Sequence, residues 1–211
     1  VVGMDADSIK VKYEDGTTDD VNIYNNFNFN RKTFIHSTPL VKPGDTFKPG
    51  ALLAHSNYTD KNGTAALGKN LRVAYMSYKG INYEDGKVIS ESTAKKLASE
   101  HMYSHTADRI KGVEFDKNKY SALFPKKFNN EQLSKVDDNG IIQIGTIVKP
   151  GDPLILSTTA TKPVNSLLRE NRKVYTTDSS VTWDHHDEGV VTDVYDDRGG
   201  VNVVVKAYAP A

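Results

Sequence analysis

Gly189-Val190-Val191-Thr192-Asp193-Val194 and Val201-Asn202-Val203-Val204-Val205, joined across the turn at Arg198-Gly199-Gly200, decide the fold. Two β-branched runs on either side of a Gly-Gly turn predict an antiparallel hairpin. The same grammar extends outward. Ser8-Ile9-Lys10-Val11-Lys12-Tyr13 alternates polar and apolar residues, the period-2 signature of a half-buried strand. Asp15-Gly16 is a hairpin turn, and Val21-Asn22-Ile23-Tyr24 is the expected return strand. Leu71-Arg72-Val73-Ala74-Tyr75-Met76 predicts a further strand, and Val88-Ile89 another. Ile141-Ile142-Gln143-Ile144-Gly145 opens a second β-rich stretch.

Helical signals are few. Ser90 to Met102 is the best helix candidate, with Ser90 as cap and Ala94, Leu97, Ala98 and His101 at helical spacing. Val164 to Glu170 reads as a short helix, whereas Asp116 to Leu133 fits no single pattern. One motif recurs: Val41-Lys42-Pro43-Gly44-Asp45 and Val148-Lys149-Pro150-Gly151-Asp152. Pro followed by Gly sets a type II turn, because glycine tolerates the positive φ of the third position. The recurrence points to two β units that turn corners alike. The expected division is an N-terminal β-rich segment over residues 1–95 and a second β domain over 96–211.

Composition removes several function classes. The 211 residues carry 27 Lys+Arg against 27 Asp+Glu, which argues against a generic polyanion binder. With no cysteine there is no disulfide framework, thiol nucleophile or cysteine zinc site. No apolar run reaches the ~18 residues of a membrane span. No signal peptide is visible, so a soluble intracellular protein is expected. Val1-Val2-Gly3 reads either as a trimmed end or as the middle of a longer polypeptide.

Three clusters could carry chemistry. Tyr83-Glu84-Asp85-Gly86 sets adjacent carboxylates on a loop; they repel, so a nearby cation would favour both ionised, but alone they read as a solvated acidic turn. His101 and His105 fall at i and i+4 of the helix candidate, a metal-gripping spacing. Met102 stands where a zinc-protease motif needs Glu, so the pair reads as surface or partly packed histidines. Trp183-Asp184-His185-His186-Asp187-Glu188 is rich in ligand types. Adjacent residues of an extended chain face opposite ways, so one metal is not easily held by both histidines. That segment reads as a polar loop anchored by its Trp. No phosphate-loop, dinucleotide or Gly-x-Ser-x-Gly fingerprint is present.

Ala66-Leu67-Gly68-Lys69-Asn70-Leu71-Arg72-Val73-Ala74-Tyr75-Met76, followed by Gly80-Ile81-Asn82-Tyr83-Glu84-Asp85-Gly86-Lys87-Val88-Ile89-Ser90-Glu91, resembles the second-largest (β) subunit of multisubunit DNA-dependent RNA polymerases. That family shows Leu-Gly-x-Asn-x-x-Val-Ala-x-Met, then Gly-x-Asn-aromatic-Glu-Asp, then Ile-x-Ser-Glu at similar spacing. Matches flank the block in order. Val41 to Asp45 with Leu52-Leu53-Ala54 looks like the preceding segment, and Leu133 to Asp152 like the start of the β flap. Asn165-Ser166-Leu167-Leu168-Arg169 resembles the flap-tip helix, and Gly189 to Val194 the strand after it. Departures exist: Ser77-Tyr78-Lys79 stands where bacterial chains usually have Pro-Trp-Asn, and Gly86 replaces a usual Ala or Ser. The divergence suggests a bacteriophage-encoded member.

The resemblance implies a mainly β fold with short helices: part of a double-psi β-barrel, then a flap domain resembling a sandwich-barrel hybrid. It implies a subunit of a nucleotidyltransferase that is inactive alone, because the family's catalytic Asp triad belongs to the largest subunit. It places Glu84 and Asp85 near the second Mg2+ and the incoming nucleotide's triphosphate, acting on the ion indirectly, through water. The implied partners are the largest subunit, the remainder of the β subunit, DNA template, RNA transcript and a promoter-recognition factor. Leu167, Leu168 and Arg169 would dock that factor, although the two leucines could equally pack on the flap itself. A competing reading is a stand-alone carrier or polymerase-binding module of the sandwich-barrel-hybrid type. Carriers need a modifiable Lys in Met-Lys-Met or Asp-Lys-Ala, and neither tripeptide occurs.

Overall fold

Residues 1–161 and 175–209 are described by a computed structural model. The chain is mainly β, as expected, with 37% strand, 9% helix and a sheet curled into half a barrel. Two compact units divide it, Val1–Ser99 and Glu100–Ala209. No helix among the described residues is long and apolar enough to cross a membrane.

The first unit begins with an antiparallel meander of Gly3–Met4, Ser8–Lys12 and Thr18–Asn22. Ile9 and Val11 are buried while Lys10 and Lys12 are exposed, as the alternation requires. The Asp15-Gly16 turn closes through Gly16 at φ +86° and the Asp15 carboxylate, which accepts from the Thr17 N–H at 2.9 Å. Two short ribbons follow: Phe27–Asn28 with Phe34–Ile35, and Ser37–Pro39 with Ala54–Ser56.

Two strand expectations fail here. Leu71 to Met76 and Val88-Ile89 form no strand. Their alternation supplies an apolar face, but a strand also needs a neighbour for its backbone groups, and none of the described strands pairs with them. The helix expected over residues 90–102 is also cut short. Glu91–Lys96 is helical, with Ser90 accepting from the Thr93 N–H as predicted. The chain then enters the Ser99–Asp108 strand, which lies beside Gly200–Ala209 in a sheet. Non-local pairing thus overrides the local helical spacing.

In the second unit an antiparallel sheet runs Ile147–Val148, Gly189–Asp196, Gly200–Ala209, Ser99–Asp108. The predicted hairpin is its centre, with Val191 opposite Val205 and Val194 opposite Val203, and a bulge between Val191 and Asp193. The Asp197 carboxylate ties the turn by accepting from the Gly199 and Gly200 N–H groups at 2.7 and 2.9 Å. A second sheet orders Tyr175–Asp178, Ser157–Thr161 and Val113–Phe115, and Pro153–Ile155 pairs with Val181–Thr182. The core between them gathers Val148, Leu154, Leu156, Trp183, Val203 and Val205, all fully buried. The stretch after Asp116 resolves into two short helices, Lys117–Leu123 and Asn130–Ser134, the second carrying a full Asn129/Gln132 capping box.

The recurring Lys-Pro-Gly-Asp motif makes the same turn twice. Asp45 N donates to Lys42 O at 3.0 Å, and Asp152 N to Lys149 O at 2.9 Å. Each Asp carboxylate also accepts from the N–H of its own Lys, at 2.8 and 2.9 Å. Gly44 and Gly151 sit at φ +95° and +87°. Burial separates the copies: Asp45 is exposed and Asp152 buried.

Candidate functional site

Residues 76–86 fold into two consecutive turns braced by one side chain. Ile81 N donates to Tyr78 O at 3.1 Å, closing the first around Lys79 and Gly80, both at positive φ. Gly86 N donates to Tyr83 O at 2.9 Å, closing the second around Glu84 and Asp85. Asn82 spans the first turn: its Oδ1 accepts from Tyr78 N at 2.8 Å, and its Nδ2 donates to Met76 O at 2.7 Å. This bracing role was invisible in the sequence, because a single Asn in a loop has many equally good local partners. Glu84 holds φ +54°, a left-handed conformation that costs a non-glycine residue about 1 kcal/mol or more. A Cβ on Gly86 would lie 3.0 Å from Tyr83 O, so glycine suits the tight closure.

Glu84 and Asp85 are both exposed, and no ion pair engages either among the described residues. They are therefore acceptor oxygens held in water on a shaped turn. They do not form a cage of their own, since the one group of three or more ligand-type side chains among the described residues lies elsewhere. Oxygen donors suit Mg2+, and a pair of them suits an ion that keeps most of its water. Large apolar side chains crowd the same segment: Leu67, Val73, Tyr75, Met76, Ile81 and Tyr83 are all exposed, Tyr75 almost completely at 99%.

The group of ligand-type side chains joins the two histidine-bearing motifs that sequence kept apart. His105, Asp184 and His185 bring one ligand atom each to within 4.8 Å of one another. The helical reading of His101 and His105 is corrected: both lie on the Ser99–Asp108 strand, where i and i+4 share a face of the sheet. Of the adjacent histidines, His185 is the one that joins the group. Burial holds the His105 imidazole below the usual histidine range; the Asp184 carboxylate opposes that shift and His185 adds to it. Trp183 anchors the loop as the sequence suggested. It is fully buried, and its Nε1 donates to Asp187 O at 2.8 Å.

Leu167, Leu168 and Arg169 lie outside the described residues.

The chain matches the family model described as RNA polymerase Rpb2, domain 6, over residues 4–209. It is 36% identical to the DNA-directed RNA polymerase subunit beta of Flavobacterium johnsoniae, over 72% of this chain and 13% of that one. Identity to the subunit beta of Caldicellulosiruptor bescii is 32%, over 99% of this chain and 18% of that one. For Citrifermentans bemidjiense it is 37%, over 74% and 12%. The chain thus spans under one fifth of the length of these relatives.

Proposed function

This chain belongs to the RNA polymerase Rpb2 domain 6 family, and from that premise we propose that it supplies part of the active-site wall and the flap of a DNA-directed RNA polymerase. The observation that carries the reading is the Glu84-Asp85 turn: two exposed carboxylates, free of ion pairs among the described residues, on a loop that Asn82 braces. Such a turn would hold a hydrated Mg2+ ion beside the incoming nucleotide's triphosphate. When bound, that ion neutralises charge on the departing pyrophosphate. Glu84 and Asp85 would hold that ion through its water ligands, accepting hydrogen bonds from them; neither would carry the nucleophile.

The exposed apolar side chains from Leu67 to Tyr83 support an assembled setting, because a monomer rarely leaves so many together in water. We assign their cover to the largest subunit and the remainder of the β subunit, with DNA template and RNA transcript running past the assembled site. The flap reading assigns Leu167, Leu168 and Arg169 to a promoter-recognition factor, and its support is the sequence resemblance. The carrier reading lacks both a modifiable-lysine motif and a family match.

The test is a reconstituted polymerase carrying Asp85→Ala. Nucleotide addition should slow by roughly 10²–10³, about 2–4 kcal/mol at a charged reacting centre, with assembly intact. Wild-type extension rates at saturating nucleotide and Mg2+ in a Glu84→Ala, Asp85→Ala double variant would overturn the assignment. The chain alone, given primed template, nucleotides and Mg2+, should make no product.

A further inference from the structure

We propose that His105, Asp184 and His185 form a zinc-class metal site that clips the Trp183 loop to the Ser99–Asp108 strand. The ligand atoms already lie within 4.8 Å of one another, with Asp184 Oδ1 3.5 Å from His185 Nε2. Tetrahedral zinc at ~2.0–2.2 Å from each donor needs a tighter cluster than this. The Asp184 side chain is 73% exposed, so it can reorient toward an ion at little packing cost.

Two further features set this group apart from a chance surface cluster. The backbone is anchored on both sides of Asp184 and His185. Trp183 N donates to Asp152 O at 2.9 Å and Gly151 N to Trp183 O at 2.8 Å, while Trp183 Nε1 reaches forward to Asp187 O at 2.8 Å. The rings are also held: the Trp183 centroid lies 5.5 Å from His105 and 4.4 Å from His185, and Tyr103 packs on His185 at 3.9 Å. Second, His105 Nε2 is buried without a hydrogen-bond partner. A buried polar atom left unpaired is costly unless something satisfies it. Coordination of a metal ion by His105 Nε2 itself removes that cost.

The donor set names the metal class. Two imidazoles and one carboxylate select Zn2+, Co2+ or Ni2+ over Mg2+ and Ca2+, which prefer oxygen alone. Three protein ligands leave a fourth position to water. The ion would join residues distant in sequence, so its binding energy would add to the stability of the second unit. This site is independent of Glu84 and Asp85.

The test uses the tag-free chain, stripped with chelator and titrated with Zn2+ alone. One equivalent should be retained after dialysis, and the Trp183-monitored melting midpoint should rise with Zn2+ and not with Mg2+. Co2+ should give the strong visible absorption of a four-coordinate site. His185→Ala should weaken Zn2+ binding by more than ~100-fold, beyond the effect of losing a surrounding hydrogen bond. Asp184→Asn, whose exposed side chain carries no packing, should weaken it by at least ~10-fold while folding normally. His186→Ala should bind as wild type. No retained zinc, equal loss from His185→Ala and His186→Ala, or wild-type binding by Asp184→Asn would each overturn the proposal.

Discussion

Lys135 Nζ lies 2.6 Å from Asp152 Oδ2, and the two side chains are only 18% and 5% exposed. Asp152 therefore does two jobs: it closes the Lys-Pro-Gly-Asp turn and neutralises a largely buried ammonium. Its sequence twin Asp45 does the first job in water. Asp152→Ala should cost about 3 kcal/mol, since it leaves a mostly buried charge without its partner. Asp45→Ala should cost under about 1 kcal/mol. Urea unfolding of the two variants, followed by Trp183 fluorescence and circular dichroism, measures the contrast.

Acid should weaken the second unit through the same carboxylate. Burial alone would raise the pKa of Asp152, but Lys135, the Lys149 N–H and Gln132 outweigh it and hold the group below 3.8. Asp178 is likewise pushed up by burial and held down more strongly by Lys127, Ser180 and Tyr120. Folded values below the unfolded one mean stability that is fully present above about pH 4 and lost as pH falls through the lower folded values. The urea midpoint should drop between pH 5 and pH 2, and less steeply in Asp152→Asn.

Alkali should act through Tyr120. Burial pushes its hydroxyl up to about 12, with its hydrogen bond to Asp178 adding to the shift and that to Ser180 opposing it. Its contribution is complete below pH 10 and lost as pH rises through about 12. Tyr120→Phe should therefore flatten the stability curve above pH 10, at the expense of the 2.9 Å bond to Asp178.

Asn82→Ala removes both braces of the Tyr78–Ile81 turn, to Tyr78 N and to Met76 O. The freed groups are exposed, so global stability should change by under about 1 kcal/mol. Local order should suffer instead: the Tyr78 amide should exchange its hydrogen about tenfold faster by nuclear magnetic resonance.

The second unit should fold alone. Among the described residues its core gathers side chains from Tyr103 to Ala207, all within this unit, and a domain of ~100 residues buries enough surface to stand by itself. A fragment of residues 100–209 should show one cooperative Trp183 transition. A fragment of residues 1–99, whose fully buried apolar side chains are Ile9, Val11 and Phe34, should melt without a sharp transition or aggregate.

By itself the sequence determined whatever depends on neighbouring residues. The Gly199-Gly200 hairpin, the Asp15-Gly16 turn, both Lys-Pro-Gly-Asp turns and the Ser90 cap are set by local φ preferences and by side chains reaching two or three residues away. The polymerase resemblance was legible for the same reason, since a motif is a local string. Only the tertiary structure decided the rest. Residues 99–102 left their helical spacing because a partner strand lay beside them, whereas Leu71 to Met76 found none among the described strands and stayed irregular. His105 and His185 each looked inert within its own motif. They meet because Trp183 is buried against the Ser99–Asp108 strand, and a contact between residues so far apart in sequence leaves no local pattern to read.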